Sequence, residues 1–185
     1  WMDRSVFINN GFAINPPSYN VATFDGLDKE GNAYKLTTGL TFGGADTLTS
    51  RPLNLKNYTR KDSVYLSFFF QRQGQGDQPQ TEDTLYLQFL NTNGFWNTVW
   101  KKEGGVNDNN FLQVLLKIDS SLYFHDQFQF RFTNLANLTG NLNHWNVDYI
   151  FMNRGRNAKD TYYRDATISS TPTSTDPLVA FGVEV

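Results

Sequence analysis

The sequence predicts an all-β protein built as an antiparallel sandwich or barrel. Apolar and polar residues alternate from Phe128 to Thr133, and a period of two marks a strand with one buried face. Turn pairs such as Asn10-Gly11, Asp25-Gly26 and Asn93-Gly94 separate the short alternating segments, and almost no helical periodicity occurs. Many short strands at such spacing are typical of all-β folds with two packed layers.

Each strand is predicted from its own alternation or apolar run and from the turn residues that flank it. Gly43-Gly44 is interpreted as a connector, and Ser120–Phe124 as one short helical turn. The predicted strands are Ser5–Ile8, Asn20–Phe24, Ala33–Thr37, Thr47–Leu55, Ser63–Gln71, Thr84–Asn91, Phe95–Lys102, Phe111–Ile118, Phe128–Asn134, Trp145–Asn153, Tyr162–Ile168 and Leu178–Val185.

Length and composition favour one domain of 185 residues. We expect a sandwich domain over residues 1–170, with 171–185 as a linker or edge strand, because Ser169–Pro177 is poor in apolar residues and contains two prolines. The chain opens at Trp1 without a charged and apolar leader, which predicts a mature, excised or partial chain.

Charge and cysteine content exclude several function classes. A net charge of −2 provides no basic field for nucleic acid. The chain contains no run of eighteen apolar residues, which is the length needed to span a membrane. The absence of cysteine excludes disulfides, thiolate metal sites and a cysteine nucleophile. The low content of Lys and Arg, with abundant Asn, Thr and Gln, favours an extracytoplasmic bacterial protein.

Enzyme motifs are missing from the sequence. There is no Gly-x-Ser-x-Gly elbow, no zinc-ligand spacing around His125 or His144, and no phosphate-binding glycine loop. A glycoside hydrolase on a sandwich needs two carboxylates that face each other across a cleft, whereas Glu82 and Asp83 are adjacent and therefore point to opposite faces. The sequence predicts a protein that is not an enzyme.

The acidic residue inside the last strong strand is the first site candidate. Asp148 lies in a strand that is apolar on both faces, so its carboxylate must be paired, hydrogen-bonded or bound to a metal. If the early and late strands are neighbours, Asp25 and Asp148 could meet and hold Ca²⁺. The alternative is that Asp25 caps its turn and that Asp148 accepts hydrogen bonds from Arg131, Trp145 or loop amides. Asp77, Glu82 and Asp83 form a second acidic cluster, interpreted as a solvated loop.

An aromatic surface is the second candidate. Strict alternation would place Trp96, Thr98 and Trp100 on one face, where two tryptophans could stack against a sugar ring; on a buried face they would be core. Tyr86 and Gln88 could add polar contacts. We count Trp96, Trp100 and His144 as candidate ligand-binding residues, although His144 fits a hydrogen-bonded loop position at least as well.

Three tripeptides share the pattern Asp, hydroxyl residue, aliphatic residue: Asp46-Thr47-Leu48, Asp62-Ser63-Val64 and Asp83-Thr84-Leu85. The simplest interpretation of each tripeptide is an aspartate that ends a turn immediately before a strand. The pattern also resembles an O-glycosylation acceptor of exported Bacteroidota proteins, which implies Thr47, Ser63 and Thr84 as glycosylation candidates.

Several segments together resemble exported Bacteroidota β-sandwich domains, which are akin to MAM and concanavalin A-like jelly rolls. The segments are VATFDGLDKEGNAY, DTLTSRPLNL, DSVYLSFFFQRQGQGDQPQTEDTLYLQF, WNTVWKKEG, FQFRFTN and HWNVDYIFMN, within a stretch from Asp3 to Ile168. Such domains occur in surface, gliding-motility and type IX secretion-associated proteins. The resemblance implies a two-sheet jelly roll, an exported location and, in calcium-binding members, Asp25 and Asp148 as ligands. MAM domains usually carry disulfides, and this chain has none.

From these observations we expect a binding or structural module of a larger surface or secretion-associated chain, one that recognises a glycan or a protein at the cell surface. The alternatives are a carbohydrate-active enzyme on the same fold and a structural spacer.

Overall fold

Ten strands form two antiparallel five-stranded sheets in the computed structural model, which describes residues 1–36, 39, 41–106 and 108–161. The strands are β1 Asp3–Arg4, β2 Phe7–Asn9, β3 Val21–Phe24, β4 Phe42–Thr49, β5 Tyr65–Arg72, β6 Thr84–Leu90, β7 Trp96–Glu103, β8 Leu112–Lys117, β9 Phe130–Asn137 and β10 Trp145–Asn153. Short 3-10 turns cover Arg60–Asp62 and Ser121–Tyr123. No helix in the described part of the chain is long and apolar enough to cross a membrane.

The strand pairing is that of a jelly roll. β3 pairs with β10, β4 with β9, β5 with β8 and β6 with β7, so the chain folds back on itself as nested antiparallel pairs. The first sheet has the order β1-β4-β9-β6-β7, and the second has the order β2-β3-β10-β5-β8. The predicted fold class, a two-sheet antiparallel jelly-roll sandwich, is confirmed.

Aromatic side chains from both sheets fill the space between them. Phe68 of β5 meets Phe132 of β9 edge to face, with ring centroids 4.8 Å apart, and it meets Trp100 of β7 at 5.1 Å. Alternation along β6 places Leu85, Leu87 and Phe89 in this core at 0–1% exposure, while the residues between them face outward. Edge-to-face pairs add about 0.5–1.5 kcal/mol each to the burial of apolar area.

The structure corrects two of the predicted strands and adds one that was not predicted. β4 begins at Phe42 and ends at Thr49, so Gly43-Gly44 lies inside a strand, and the predicted strand Thr47–Leu55 is wrong beyond Thr49. Gly43 and Gly44, which sequence reasoning assigned to a turn, pair with Ala136 and Leu135 of β9, and a β-bulge follows between Gly44 and Thr47. Residues 33–36 contain only an isolated bridge, between Leu27 and Ala33, instead of a strand. Arg4 and its neighbour Asp3 form an edge strand that was not predicted.

Two predicted strands and the predicted domain boundary lie outside the described residues. These are Tyr162–Ile168, Leu178–Val185 and the change at residues 170–171. The short helical turn predicted at Ser120–Phe124 is observed as the 3-10 turn Ser121–Tyr123.

A bulge also exchanges the two faces of β10. Asp148 pairs with Phe69 and Phe151 pairs with Ser67, so β10 has one extra residue there, and Tyr149 has a positive φ of 47°. Trp145 and Val147 face the core before the bulge, whereas Ile150 and Met152 pack against it after the bulge. Strict alternation would place Tyr149 and Phe151 on the same face as Trp145 and Val147, but the bulge turns Phe151 outward, where it is 41% exposed.

Gly26, in the turn after β3, marks a close approach of two backbones. A Cβ at this residue would overlap the carbonyl oxygens of Asn137 and Gly140. Both oxygens belong to the backbone, so no side-chain rotation relieves the overlap. The turn after β3 and the end of β9 can therefore pack together only if residue 26 lacks a side chain.

Replacing Gly26 with alanine should lower the free energy of unfolding by at least about 2 kcal/mol, because overpacking against rigid backbone costs about 1–3 kcal/mol. Urea denaturation followed by tryptophan fluorescence measures the change. Gly11→Ala is the matched control, because nothing lies within 4 Å of a Cβ built there. Equal stability of the two variants would contradict the close approach.

Candidate functional site

A bulge in β7 separates the two tryptophans of the predicted sugar platform. Leu87 pairs with Trp100, and Gln88 pairs with Thr98, so Val99 is the extra residue. Trp100 therefore shares the core side with Leu87 and packs edge to face on Phe68 and Phe70, at 5.1 Å in each case. The prediction that Trp96 and Trp100 share a face is wrong, and Trp100 is a core residue.

Trp96 lies on the outer face of the first sheet, within a polar group from three neighbouring strands. Arg131 of β9 places its guanidinium carbon 4.3 Å from the centroid of the Trp96 ring. The Nε of Arg131 donates to Oε1 of Gln88 at 2.7 Å, and Nε2 of Gln88 donates to Oγ1 of Thr98 at 3.2 Å. We call Gln88, Trp96, Thr98 and Arg131 the Trp96 cluster.

The register of the sheet creates this cluster. Gln88 lies opposite Arg131 on one side and opposite Thr98 on the other. Cross-strand pairs on one face stand about 5 Å apart, which is close enough for their side chains to bond. The half-buried Trp96 ring is held in place by the guanidinium, and a fixed aromatic ring loses little conformational entropy when a ligand binds.

Arg131 keeps hydrogen-bonding capacity for a ligand. Burial lowers its pKa, whereas the nearby Asp3 carboxylate raises it, and the group stays charged. Only Nε has a hydrogen-bond partner among the described residues, so the terminal nitrogens of the guanidinium remain as donors. Sequence reasoning considered Arg131 as a partner of Asp148, and this is wrong, because the two residues lie in different sheets.

His144, the third predicted ligand-binding residue, is a buried structural residue at 1% exposure. The N–H of Asp77 donates to Nδ1 at 2.8 Å, so Nε2 carries the proton and lies 2.7 Å from Oδ1 of Asn141. Phe12 stacks on the ring at 4.9 Å, and a Cβ at Gly76 would overlap the imidazole. A ligand cannot reach this side chain in the folded protein.

The predicted calcium ligands lie in separate hydrogen-bond networks. β3 and β10 are neighbours as expected, but the pairing of Phe24 with Trp145 puts Asp25 beside His144, about 13 Å along the strand from Asp148. Asp148 accepts from the N–H and the hydroxyl of Ser18, at 2.7 and 2.6 Å, and from the N–H of Tyr149. A loop amide was one of the partners considered for Asp148.

Calcium binding itself stays a prediction from the sequence resemblance. No group of three or more His, Cys, Asp or Glu residues within the described ranges is arranged to hold a metal ion. If calcium does bind, the thermal midpoint should rise with added CaCl₂ and fall with a chelator. Asp25→Asn should then abolish the rise, whereas an exposed control such as Asp126→Asn should retain it.

Asp25 belongs instead to a buried acidic pair that sequence reasoning did not find. Its backbone N–H donates to Oδ2 of Asp46 at 2.9 Å, and Tyr34 donates its hydroxyl to Oδ1 of Asp46, also at 2.9 Å. Asn134 connects the two residues by accepting from the N–H of Asp46 and donating to the carbonyl of Asp25. Nothing in the sequence pairs these positions, because the contacts cross from one sheet to the other.

Burial dominates the acid–base behaviour of this pair. It raises the pKa of Asp46 to about 8 and that of Asp25 to about 6. Burial also lowers the pKa of His144, so the 3.9 Å approach of its Nε2 to Oδ2 of Asp25 is not an ion pair at neutral pH. Both carboxyl groups are sealed in the protein, at 5% and 1% exposure, and hold backbone in place.

The three glycosylation candidates differ in accessibility. Thr84 is 5% exposed in β6, and Thr47 is half-buried in β4, where its N–H donates to the hydroxyl of Ser5 at 2.6 Å. Ser63 is half-buried and has a φ of 48° where it closes a 3-10 turn. Glycosylation stays a prediction, and attachment at Thr84 would require β6 to open.

Comparison with protein-family models and with curated proteins returns no match for this chain. Solved structures with a similar fold include an arabinose-bound GH51 α-L-arabinofuranosidase, at 12% identity and a TM-score of 0.44, with 82% of this chain and 22% of that one covered. A xylanase 10C from Cellvibrio japonicus in complex with xylopentaose has 10% identity and a TM-score of 0.37, with 68% and 27% covered.

A third similar structure is a carbohydrate-binding module, CBM28, described as specific for non-crystalline cellulose. It has 15% identity and a TM-score of 0.33, with 80% of this chain and 98% of that one covered. The chain thus spans about a quarter or less of the first two structures and nearly all of the third.

Replacing Asp46 with asparagine should change how stability depends on pH. The raised pKa means that folded Asp46 keeps a proton which the unfolded chain releases above pH 3.8, so its effect on wild-type stability becomes steadily less favourable from about pH 4 to pH 8. The variant lacks this loss. The stability of the variant relative to wild type should rise by about 4 kcal/mol between pH 5 and pH 8, since each pH unit contributes about 1.4 kcal/mol.

Urea unfolding of both proteins at several pH values gives the difference in their free energies of unfolding. The contribution of His144 cancels from this difference, because His144 titrates in both proteins. Asp126→Asn, at an exposed carboxylate, is the control and should show a constant difference. A constant difference for Asp46→Asn would contradict its burial in the neutral form.

Proposed function

We propose that this domain is a non-enzymatic carbohydrate-binding module that binds a polysaccharide on the outer face of the first sheet. The observation that carries the proposal is the Trp96 cluster, in which a half-buried indole is bordered by hydrogen-bonding side chains from three strands. Sugar rings present apolar C–H faces and a rim of hydroxyl groups. An aromatic ring beside amide, guanidinium and hydroxyl groups complements both parts of such a ligand.

The shape of the surface favours a polysaccharide chain over a single sugar. The cluster lies on an open sheet face, and the next outward residues along the same strands are also able to bond. Tyr86 lies opposite Thr133 and Lys101, one step of about 7 Å from Gln88. A ligand that runs along this face would contact a second set of polar groups.

The cluster favours a glycan over a protein partner. The central part of a protein–protein interface is about two-thirds apolar, although Trp and Arg are enriched there, and it holds several large apolar side chains together. Here the only large aromatic of the cluster, Trp96, is bordered by Arg131, Gln88 and Thr98, and the neighbouring Lys101 is paired with Glu103 at 3.0 Å. This composition fits a hydroxylated ligand that exchanges its water for polar side chains.

The positions of the carboxylates support binding without hydrolysis. A glycoside hydrolase needs two carboxyl groups roughly 5–10 Å apart in an open cleft. The acidic pair Asp25 and Asp46 is buried, and each residue is occupied by backbone amides. Beside the Trp96 cluster, Glu103 of the edge strand β7 pairs with Lys101, and Asp3, whose carboxylate acts on Arg131, belongs to the opposite edge strand β1. Neither arrangement fits a catalytic pair.

The cellular setting of this function is an expectation from composition and sequence resemblance. We propose an exported bacterial protein, in which this domain could hold a larger chain on a polysaccharide at the cell surface. A surface face rich in polar groups is compatible with that setting. Cell fractionation of the source organism, with an antibody against the domain, would test it.

Trp96→Ala should weaken binding to a soluble polysaccharide at least tenfold, because the stacking surface is lost and Arg131 loses its support. Affinity gel electrophoresis with a panel of neutral soluble polysaccharides identifies a ligand, and calorimetric titration measures its Kd. Arg131→Ala should also weaken binding of the same ligand, whereas Trp96→Phe should retain part of the affinity.

Phe95→Ala is the matched control, because Phe95 is 68% exposed directly before β7 and lies outside the cluster. Its affinity should equal that of wild type. All variants should keep the wild-type thermal midpoint within a few degrees, since Trp96 lies outside the core. Unchanged binding by Trp96→Ala, or no binding of any polysaccharide by the wild type, would overturn the proposal.

A further inference from the structure

A concave pocket lies at the end of the first sheet away from the Trp96 cluster. Its volume is about 270 Å³, and it is lined by Phe42, Asp77, Gln80, Glu82, Asp83, Asn137, Leu142 and Asn143. The polar loop before β6 forms one wall, and the β9–β10 connection forms the other. Asp83 is five residues before Gln88, which separates the two surfaces by about 17 Å along β6.

The pocket carries negative charge without a cationic partner. Asp77, Glu82 and Asp83 all line it, and the described ion pairs involve none of them. Burial raises the pKa of Asp83 to about 6, the hydrogen bond from the N–H of Gln80 lowers it, and the charges of Glu82 and Asp77 raise it further. The field inside the pocket therefore favours a positively charged group.

A second observation points to a ligand that also accepts a hydrogen bond. Asn143 is only 4% exposed, its N–H donates to Oδ2 of Asp77 at 3.2 Å, and its Oδ1 accepts from the N–H of Asn137 at 3.4 Å. Its Nδ2 has no partner among the described residues, yet it is not sealed from solvent, since Trp145 Nε1 is the only sealed side-chain nitrogen or oxygen without a partner there. This donor has no acceptor within the described protein residues, so an oxygen of a ligand in the pocket can take the place of solvent there.

The remaining wall supplies an apolar surface. Phe42 begins β4, lies opposite Asn137 and is 47% exposed, which leaves much of its ring uncovered. An aromatic ring attracts both the C–H face of a sugar and an adjacent ammonium group. A metal ion fits less well, because no three acidic side chains in the described ranges converge on one point.

We propose that this pocket binds an amino sugar with a free amino group. The ammonium group lies between the carboxylates of Asp77 and Glu82, a ring hydroxyl oxygen accepts from Nδ2 of Asn143, and the apolar face of the ring packs on Phe42. A hexose-sized ligand fits within 270 Å³. This site is separate from the polysaccharide surface and goes beyond it, because it selects for positive charge.

NMR titration of the isotope-labelled protein with glucosamine tests the proposal. We expect saturable shifts at the pocket with a millimolar Kd, and binding at least fivefold weaker for glucose and for N-acetylglucosamine, which lack the charge. Glu82→Gln should weaken glucosamine binding about three- to tenfold without unfolding, since Glu82 is exposed and has no hydrogen bond among the described residues. Phe42→Ala should weaken it similarly.

Glu30→Gln and Phe95→Ala, at exposed positions away from the pocket, should bind glucosamine like the wild type. Trp96→Ala should also retain glucosamine binding, so the failure of one site is distinguishable from the failure of the other. Equal affinity for glucose would overturn the role of the ammonium group, and equal affinity for lysine amide would overturn the assignment to a sugar. No shift at the pocket would overturn the site.

Discussion

A row of buried side-chain hydrogen bonds across the second sheet is the constraint on which the rest of the structure depends. Asn9 of β2 donates to Oγ1 of Thr23 at 2.8 Å, and Thr23 donates to Oδ1 of Asn146 at 2.7 Å. Asn146 donates to Oε1 of Gln71 at 3.2 Å, so the row joins β2, β3, β10 and β5.

The row is sealed from solvent, since Thr23, Asn146 and Gln71 are each 0% exposed. An unpaired amide here would cost about 1–3 kcal/mol, so only one register of the four strands satisfies the row. The row also fixes the segment between β2 and β3, since Gln71 bonds both the N–H and the carbonyl of Ile14. Asp148, two residues after Asn146 in β10, accepts hydrogen bonds from Ser18 of the same segment.

The two bulges determine which side chains can meet a ligand. In β7 the extra residue Val99 sends Trp100 into the core and leaves Trp96 outside. In β10 the bulge after Asp148 turns Ile150 and Met152 inward and exposes Phe151. Each bulge preserves a continuous core on both of its sides while changing the parity of the strand. The outer face of the first sheet thereby gains an aromatic residue next to Gln88 and Arg131, at no loss of core packing.

The fold was predictable from the sequence because alternation and turn chemistry act locally. Leu85, Leu87 and Phe89 show the core face of β6 directly, and residues 145–153 were predicted as a strand with the bounds that β10 has. The position of one partner of the site, Gln88, followed from the same alternation. The parity of Trp96 and Trp100 did not follow, because a bulge depends on the partner strand, and Val99 carries no mark of it. The distance between Asp25 and Asp148 was not predictable either. The adjacency of β3 and β10 could be expected, but their register, with Phe24 opposite Trp145, depends on how the two strands pair. Asp46 was missed as the partner of Asp25 because their contact crosses between sheets.

Stability and binding are distributed over different parts of this sandwich. Desolvation raises the pKa of Asp46 to about 8, so this group keeps its proton at neutral pH, and it raises the pKa of Asp25 to about 6. The cost of burying the two groups is offset by the hydrogen bonds that they accept from backbone amides and from Tyr34, and Asn134 links their backbones. Neither acid reaches the surface, so the hydrogen bonds that they accept serve to hold β3 against β4. The outward residues of β6, β7 and β9 contact mainly one another, as Arg131 does with Gln88 and Trp96. A change there leaves the interdigitated core untouched. The first sheet can therefore vary its outer face to suit a ligand while its inner face continues to fix the fold.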